Sequence, residues 1–301
     1  MTIKPYLQLV RLPNVFSAAA DSLAGWLLVR GSLAEPGRWV PLVGASMAIY
    51  AAGIALNDLF DLDVDAAERP DRPLPSGRVS RRFAAGLGGT LLALGLVLAG
   101  LSGSGTSLLV AALLVVCVVA YDAGAKRTPL GPGLMGACRG LNLALGLSGD
   151  PALGGPAAGL VAGSMALFVV GVTRISRSET ETGRIDGVRS GMMLQSAALA
   201  GLLVATLRAA DFPSAGPARS IEMLAGLFVL IVVATIVHRT NVRAIRTPVP
   251  ATLQRAVKTG VFALIWLNVG VVAAVRGPAM ALAVAAWWVP AFVLGRWLYA
   301  T

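Results

Sequence analysis

Charge is what this chain has least of. Only 13% of its 301 residues are Asp, Glu, Lys or Arg, and its mean hydropathy is +0.76. A soluble domain carries about twice that charged share, so a water-soluble globular protein is excluded. Cysteine is equally scarce: Cys117 and Cys138 both fall in apolar runs. They read as small buried hydrophobes, not as a disulfide framework or thiolate metal site. The single histidine, His238, closes an apolar run just before Arg239. A helix C-terminus favours a cation there, which makes capping the expected role and general-base work the lesser one. A cleavable leader is not expected, since Arg11 and Pro13 interrupt any early apolar core. No clear internal repeat is present. Acid-bearing loops after the second and sixth apolar runs give only a hint of a duplicated four-helix plan.

What remains is a succession of apolar runs near the ~20 residues that a ~30 Å hydrocarbon core requires. They predict an all-α, polytopic, integral membrane protein, a single domain over 1–301. The expected spans are 12–30, 39–57, 83–102, 106–121, 131–148, 155–174, 190–207, 220–238, 257–275 and 279–298. The first nine form a bundle and the tenth is an added C-terminal helix. Sorting the 25 basic residues by loop gives 19 on the side of the N-terminus and 5 on the other. This bias places the N-terminus and the long charged loops in the cytoplasm. It also accounts for the net charge of +10 without nucleic acid as a partner. Such a cationic face is suited to anionic membrane lipids or an anionic substrate. The opposite connections, such as Ser102-Gly103-Ser104-Gly105, are tight and nearly uncharged, so function is expected on the cytoplasmic side. Small residues spaced by four, Gly136 with Gly140 and Gly155 with Gly159 and Gly163, predict close helix approach.

The densest polar feature is Asn57-Asp58-Leu59-Phe60-Asp61-Leu62-Asp63-Val64-Asp65, at the end of the second span. At ~100° per residue, with Asn57 at zero, Asp61 falls near ~40°, Asp65 near ~80° and Asp58 near ~100°. Three carboxylates and an amide therefore share a face. Asp63 points away and is expected to be a surface charge. Hard oxygen donors gathered in this way suit a divalent cation, and Mg²⁺ in particular is usually held by a few carboxylates plus phosphate oxygens. The pattern reads as one half of a diphosphate–Mg²⁺ site. The loop continues Glu68-Arg69-Pro70-Asp71-Arg72-Pro73-Leu74-Pro75-Ser76-Gly77-Arg78. Pro70 should end the helix near Arg69, bringing Arg69, Arg72 and Arg78 back over the carboxylates. Mutual neutralisation is the plain alternative for such a loop.

These two stretches resemble the first aspartate motif, NDxxDxxxD followed by RPLPSG, of the UbiA-type intramembrane prenyltransferases. The resemblance spans about residues 5–275. It implies that Asn57, Asp61 and Asp65 coordinate Mg²⁺ ions gripping an isoprenyl diphosphate, with Asp58 beside them and Arg72 near the diphosphate. A second segment, Tyr121-Asp122-Ala123-Gly124-Ala125-Lys126-Arg127, is similar to the family's Tyr-to-Lys segment, which implies that Lys126 faces the diphosphate, with Tyr121 a further substrate-binding candidate. The sequence departs from the family where a second DxxDxxxD is usual. That loop reads Ser176-Arg177-Ser178-Glu179-Thr180-Glu181-Thr182-Gly183-Arg184-Ile185-Asp186, and only Glu179 falls on an expected acid position. Three readings stay open: Glu179 holds a second Mg²⁺ with more water; Arg177 or Arg184 replaces part of the second cation; or catalysis is lost. A divergent branch associated with bacterial ebo clusters is similar here and towards the C-terminal Arg296-Trp297-Leu298-Tyr299, which implies a bacterial plasma membrane.

Ionisable groups at membrane depth usually face the bundle interior, pair, and mark a substrate path. Asp21 in the first span and Arg139 in the fifth, with Asn142 one turn on, are such groups. Asn14 is placed to line the same cavity. A structural role for the set is equally expected.

The implied activity is Mg²⁺-dependent prenyl transfer from an isoprenyl diphosphate to an unidentified polar or aromatic acceptor, releasing diphosphate. Asp61, Asp65, Lys126 and Arg72 would be the catalytic groups. A membrane terpene cyclase, a transporter and a non-catalytic binder are the rivals. A CDP-alcohol phosphotransferase is excluded, because Asp186-Gly187-Val188-Arg189 does not supply its pattern.

Overall fold

The computed structural model describes residues 3–178, 185–210 and 217–299. Its described elements are helical: α1 Lys4–Leu9, α2 Leu12–Arg30, α3 Pro36–Phe60, α4 Leu62–Glu68, α5 Arg81–Leu101, α6 Gly105–Asp122, α7 Gly131–Leu147, α8 Pro151–Ser176, α9 Asp186–Ala209, α10 Pro217–Arg246, α11 Pro250–Arg276, α12 Pro278–Ala285 and α13 Trp288–Tyr299, with a 3-10 turn at Ala125–Arg127. Among the described residues, nine helical stretches are long and apolar enough to cross a membrane, the last being α12 and α13 taken together. The expected span at 131–148 is the short tenth, α7, with 17 residues.

Two expectations change at the C-terminal end. The tenth span is two helices and not one. Pro290 lacks the N–H that would bond the carbonyl of Ala286, and its ring crowds that carbonyl, so the break falls at residues 286–287. The C-terminal pair still closes onto the start of the chain, where the Gln8 amide donates to the Leu298 carbonyl at 3.0 Å. The eighth span also runs on to Arg246, so His238 lies eight residues inside α10. Its capping role therefore fails, and Arg243 and Arg246 occupy the last turn instead.

α2 is the central post, with nearly its whole length buried. α7 meets it at a glycine contact: a Cβ on Gly146 would lie 1.9 Å from the Ser22 carbonyl, and one on Gly25 2.3 Å from that of Leu143. No side chain fits at either position, and this approach brings Asp21 beside Arg139. Gly136 and Gly140 are similarly closed against the Ala166 and Ala162 backbones of α8. The stripe at Gly159 and Gly163 is different. A side chain there would meet nothing within 4 Å, so close packing does not explain those glycines.

Candidate active site

The second aspartate-bearing helix ends as the sequence suggests, with one inflection. α3 stops at Phe60 and Asp61 adopts φ −96°, ψ 9° before α4 begins. The hydrogen bonds from Asp61 N to Asn57 O and from Asp65 N to Asp61 O carry the helical pattern across. Pro70 terminates α4, and the loop doubles back on a core of its own. Leu74 and Val79 bury against Leu9, Leu62 and Ala84, each such side chain contributing roughly 1.5–3 kcal/mol. The Ser76 hydroxyl bonds the Arg72 carbonyl at 2.6 Å, Gly77 turns the chain at φ 71°, and Ser80 caps α5 through the Phe83 N–H. This miniature core fixes Arg72 above the carboxylates.

The angular order expected around the helix is reproduced in the partners each side chain finds. Asn57, at one edge, donates to the Asp122 carboxylate at 2.9 Å. Next round the helix, Asp61 takes Lys126 Nζ at 2.6 Å and Arg127 at 3.2 Å. Asp65 and Asp58, at the other edge, share Arg72 at 2.5 and 3.5 Å. Arg69 adds a longer contact to Asp65 at 3.7 Å, and Arg11 reaches Asp58 at 2.9 Å. Asp58 and Asp65 are nearly inaccessible, while Asp63 is exposed, as expected.

Three spaces that share lining residues lead inward from this cap. A polar vestibule of about 930 Å³ is lined by Arg11, Asn14, Asp58, Arg69, Arg72 and Arg78 among others. Arg11 and Asn14 also line a second space of about 300 Å³ that includes Asn57, Tyr121 and Asp122. Tyr50, Val118, Met135 and Cys138 are shared in turn between that space and an apolar chamber of about 230 Å³ between α3, α6, α7, α8 and α11. Shared lining residues thus link the charged mouth to the apolar interior.

At the chamber's inner wall are Ser17, Arg139 and Asn142. Here Asp21, with no exposed surface, contacts Arg139 Nε at 2.6 Å and accepts from Asn268 at 2.6 Å and from Asn142 at 3.1 Å. Asn142 is further tied to Ser46 and to the Ala18 carbonyl. The expected pairing of Asp21 with Arg139 is thus present, next to the chamber and separate from the aspartate cap. Among the described residues, Arg177 makes no ion pair with a carboxylate. It donates to the Thr128 carbonyl at 2.9 Å and to that of Lys126, tying the end of α8 to the turn that carries Lys126. Glu179, with Glu181 and Arg184, lies outside the described residues.

Three residues of the cap were given no role from sequence: Arg127, Asp122 and Arg11. Asp122 ends α6 almost fully buried; a carboxylate closing an apolar span was the available signal. Arg11 is the one non-glycine residue at positive φ among those described, φ 43°. That conformation costs roughly 1–2 kcal/mol, offset here by the ion pair to Asp58. No sequence signal marked it.

The donor set fits a hard cation: carboxylate and amide oxygens only, with no imidazole or thiolate among them. Among the described residues, no three acidic, histidine or cysteine side chains converge on one point. Mg²⁺ is commonly bound by one or two carboxylates with substrate phosphates and water completing its shell.

Fold and site together define a multi-helix integral membrane protein with a carboxylate and cation cap over an apolar chamber. The chain matches the UbiA prenyltransferase family over residues 21–257 and belongs to that family. It is 35% identical over 126 residues to the digeranylgeranylglyceryl phosphate synthase of Metallosphaera sedula, covering 42% of this chain and 44% of that protein. To the enzyme of the same name from Methanoculleus marisnigri it is 26% identical over 229 residues, 75% and 70% of the two chains. The first relatives are matched over less than half their length. A solved structure described for digeranylgeranylglyceryl phosphate synthase superposes with a TM-score of 0.66 at 19% identity, covering 91% of this chain and 98% of that one. A UbiA homologue from Archaeoglobus fulgidus bound to GPP and Mg²⁺ gives 0.59 at 13%, covering 89% and 99%. At these identities the structural likeness speaks to the fold.

Proposed function

We propose that this protein transfers a prenyl group from an isoprenyl diphosphate to a small acceptor within the membrane, with Mg²⁺ as cofactor. The observation that carries the reading is the succession of spaces from the vestibule at Arg72, past Asn14 and Tyr50, to the apolar chamber, each sharing lining residues with the next. A ligand with a doubly charged head and a hydrocarbon tail has the matching polarity along its length.

In this reaction the bond between the prenyl C1 and the bridging oxygen breaks, with its electron pair leaving on the diphosphate. The allylic cation that remains is captured by an acceptor oxygen or ring carbon, and the acceptor's displaced proton goes to the departing diphosphate. Preorganised positive charge at the leaving group is the main requirement. Lys126 and Arg72 supply it from fixed positions, and Arg11 reinforces it. Arg177 positions the Lys126 turn. Bound Mg²⁺ supplies further Lewis-acid charge at the diphosphate, with Asn57, Asp61 and Asp65 as the described side chains suited to hold it and Glu179 as a further candidate. The chamber keeps water from the cation. The distribution of basic residues supports a cytoplasmic N-terminus and cytoplasmic site loops.

The name of the relatives makes a prenylated glycerol phosphate the first acceptor class to try. Purified protein would be incubated with Mg²⁺, a panel of prenyl diphosphates and acceptors of that and of aromatic type, with products read by mass spectrometry. A prenylated acceptor with released diphosphate is expected. A cyclic hydrocarbon lacking the acceptor, or no Mg²⁺-dependent product at all, would overturn the assignment.

A further inference from the structure

A second amphiphilic groove lies away from the aspartate cap, between α10 and α11. It has a volume of about 470 Å³, and Arg255, Lys258 and Thr259 line it together with Ile236, Phe262 and Trp266. Its polar end is the start of α11, at the same end of the bundle as the aspartates, since successive spans alternate in direction from α3 onward. From Arg255 to Trp266 is eleven residues, about 16 Å of helix rise. This is close to half of a ~30 Å hydrocarbon core, the depth of one leaflet. Phe262 and Ile236 are 53% and 50% exposed along it, so the groove opens sideways.

Its charge is unlike that of the cap. There, the Arg11, Arg72, Lys126 and Arg127 cations each meet a carboxylate. After Glu222 the sequence contains no acidic residue, yet it places Arg239, Arg243, Arg246, Arg255 and Lys258 around the α10–α11 turn. None of these five makes an ion pair among the described residues. Topology signals alone scatter basic residues near the interface; they do not require a leaflet-deep apolar groove beneath two of them.

We infer that this groove is a binding site for an anionic glycerophospholipid. The headgroup phosphate would sit against Arg255 and Lys258, with Thr259 as a hydroxyl partner, and one acyl chain would run along Phe262 to Trp266. A zwitterionic lipid offers the same chain without net negative charge, so the site selects by headgroup.

Native mass spectrometry of the full chain, titrated with phosphatidylglycerol or phosphatidylcholine in detergent, tests this. Phosphatidylglycerol is expected to bind about tenfold more tightly than phosphatidylcholine, a preference of the size two surface cations provide. R255Q/K258Q should remove that preference, while R243Q/R246Q, an equal loss of charge outside the groove, leaves it within about twofold. Thermal melts of both variants establish that they are folded. In a second arm, phosphatidylglycerol with brominated acyl chains should quench tryptophan fluorescence, and Trp266→Phe should remove that component. No headgroup preference, equal loss in both double variants, or quenching indifferent to Trp266 would overturn the inference.

Discussion

Two of the acid–base clusters among the described residues, the aspartate cap and the set around Asp21, are built to opposite ends. Around Asp21 every interaction is turned inward: Arg139, Asn142 and Asn268 converge on one carboxylate with no exposed surface. At the cap, cations and carboxylates also neutralise one another, but Asp61 retains access and Arg72 faces a vestibule of about 930 Å³. A buried closed set holds helices together and resists exchange, because removing either partner strands a charge. A set at the mouth of a cavity can trade partners when a more highly charged anion arrives. Under the proposed function the same residue types serve architecture in one place and chemistry in the other, and accessibility separates the two.

Breaking the cap should abolish activity and spare the fold. Asp61→Ala is predicted to lower Mg²⁺-dependent turnover by at least about a thousandfold, roughly 4 kcal/mol of transition-state stabilisation, with an unchanged melting temperature in detergent. Full turnover in that variant would remove the proposed role. Breaking the inner cluster should do the reverse. Asp21→Ala strands Arg139 and is predicted to cost about 3–5 kcal/mol of stability, read as a fall in melting temperature and yield. The paired change Asp21→Leu with Arg139→Met should recover much of it, and failure of both variants alike would mean that the cluster does more than hold the bundle.

Within the cap, Lys126→Met is predicted to reduce kcat/KM by about 10- to 100-fold, the loss of one charge at the leaving group. Lys126→Arg should restore part of this. Arg177→Ala acts only through the Lys126 turn, and a fall of about threefold to tenfold is expected. An effect as large as that of Lys126→Met would show that Arg177 touches substrate.

Much of this contrast was legible in the sequence. Periodicity on α3 gave the order Asn57, Asp61, Asp65 and Asp58 around the helix, and the partners found follow that order, because helical geometry is local. Arg72 was legible through the Pro and Gly residues that reverse the chain after Glu68. What was not legible depends on contacts between distant segments. Arg11 meets Asp58 only because the chain turns at positive φ just before α2, and the Asn57–Asp122 bond joins residues 65 positions apart. The packing of α2 on α7 rests on Gly25 and Gly146, which stood in no motif, whereas the regular stripe at Gly159 and Gly163 packs against nothing. His238 was misplaced because hydrophobicity fades before α10 ends. Spacing predicts which face a residue shares, and the opposing element decides what that face does.

Binding of a non-ionising donor analogue, geranyl S-thiolodiphosphate, to purified protein by titration calorimetry addresses the central claim without needing the acceptor. One analogue per chain is expected with Mg²⁺ present, with binding weakened at least tenfold by chelator or by Asp61→Ala. Equal affinity with and without Mg²⁺, unaffected by that substitution, would contradict the account.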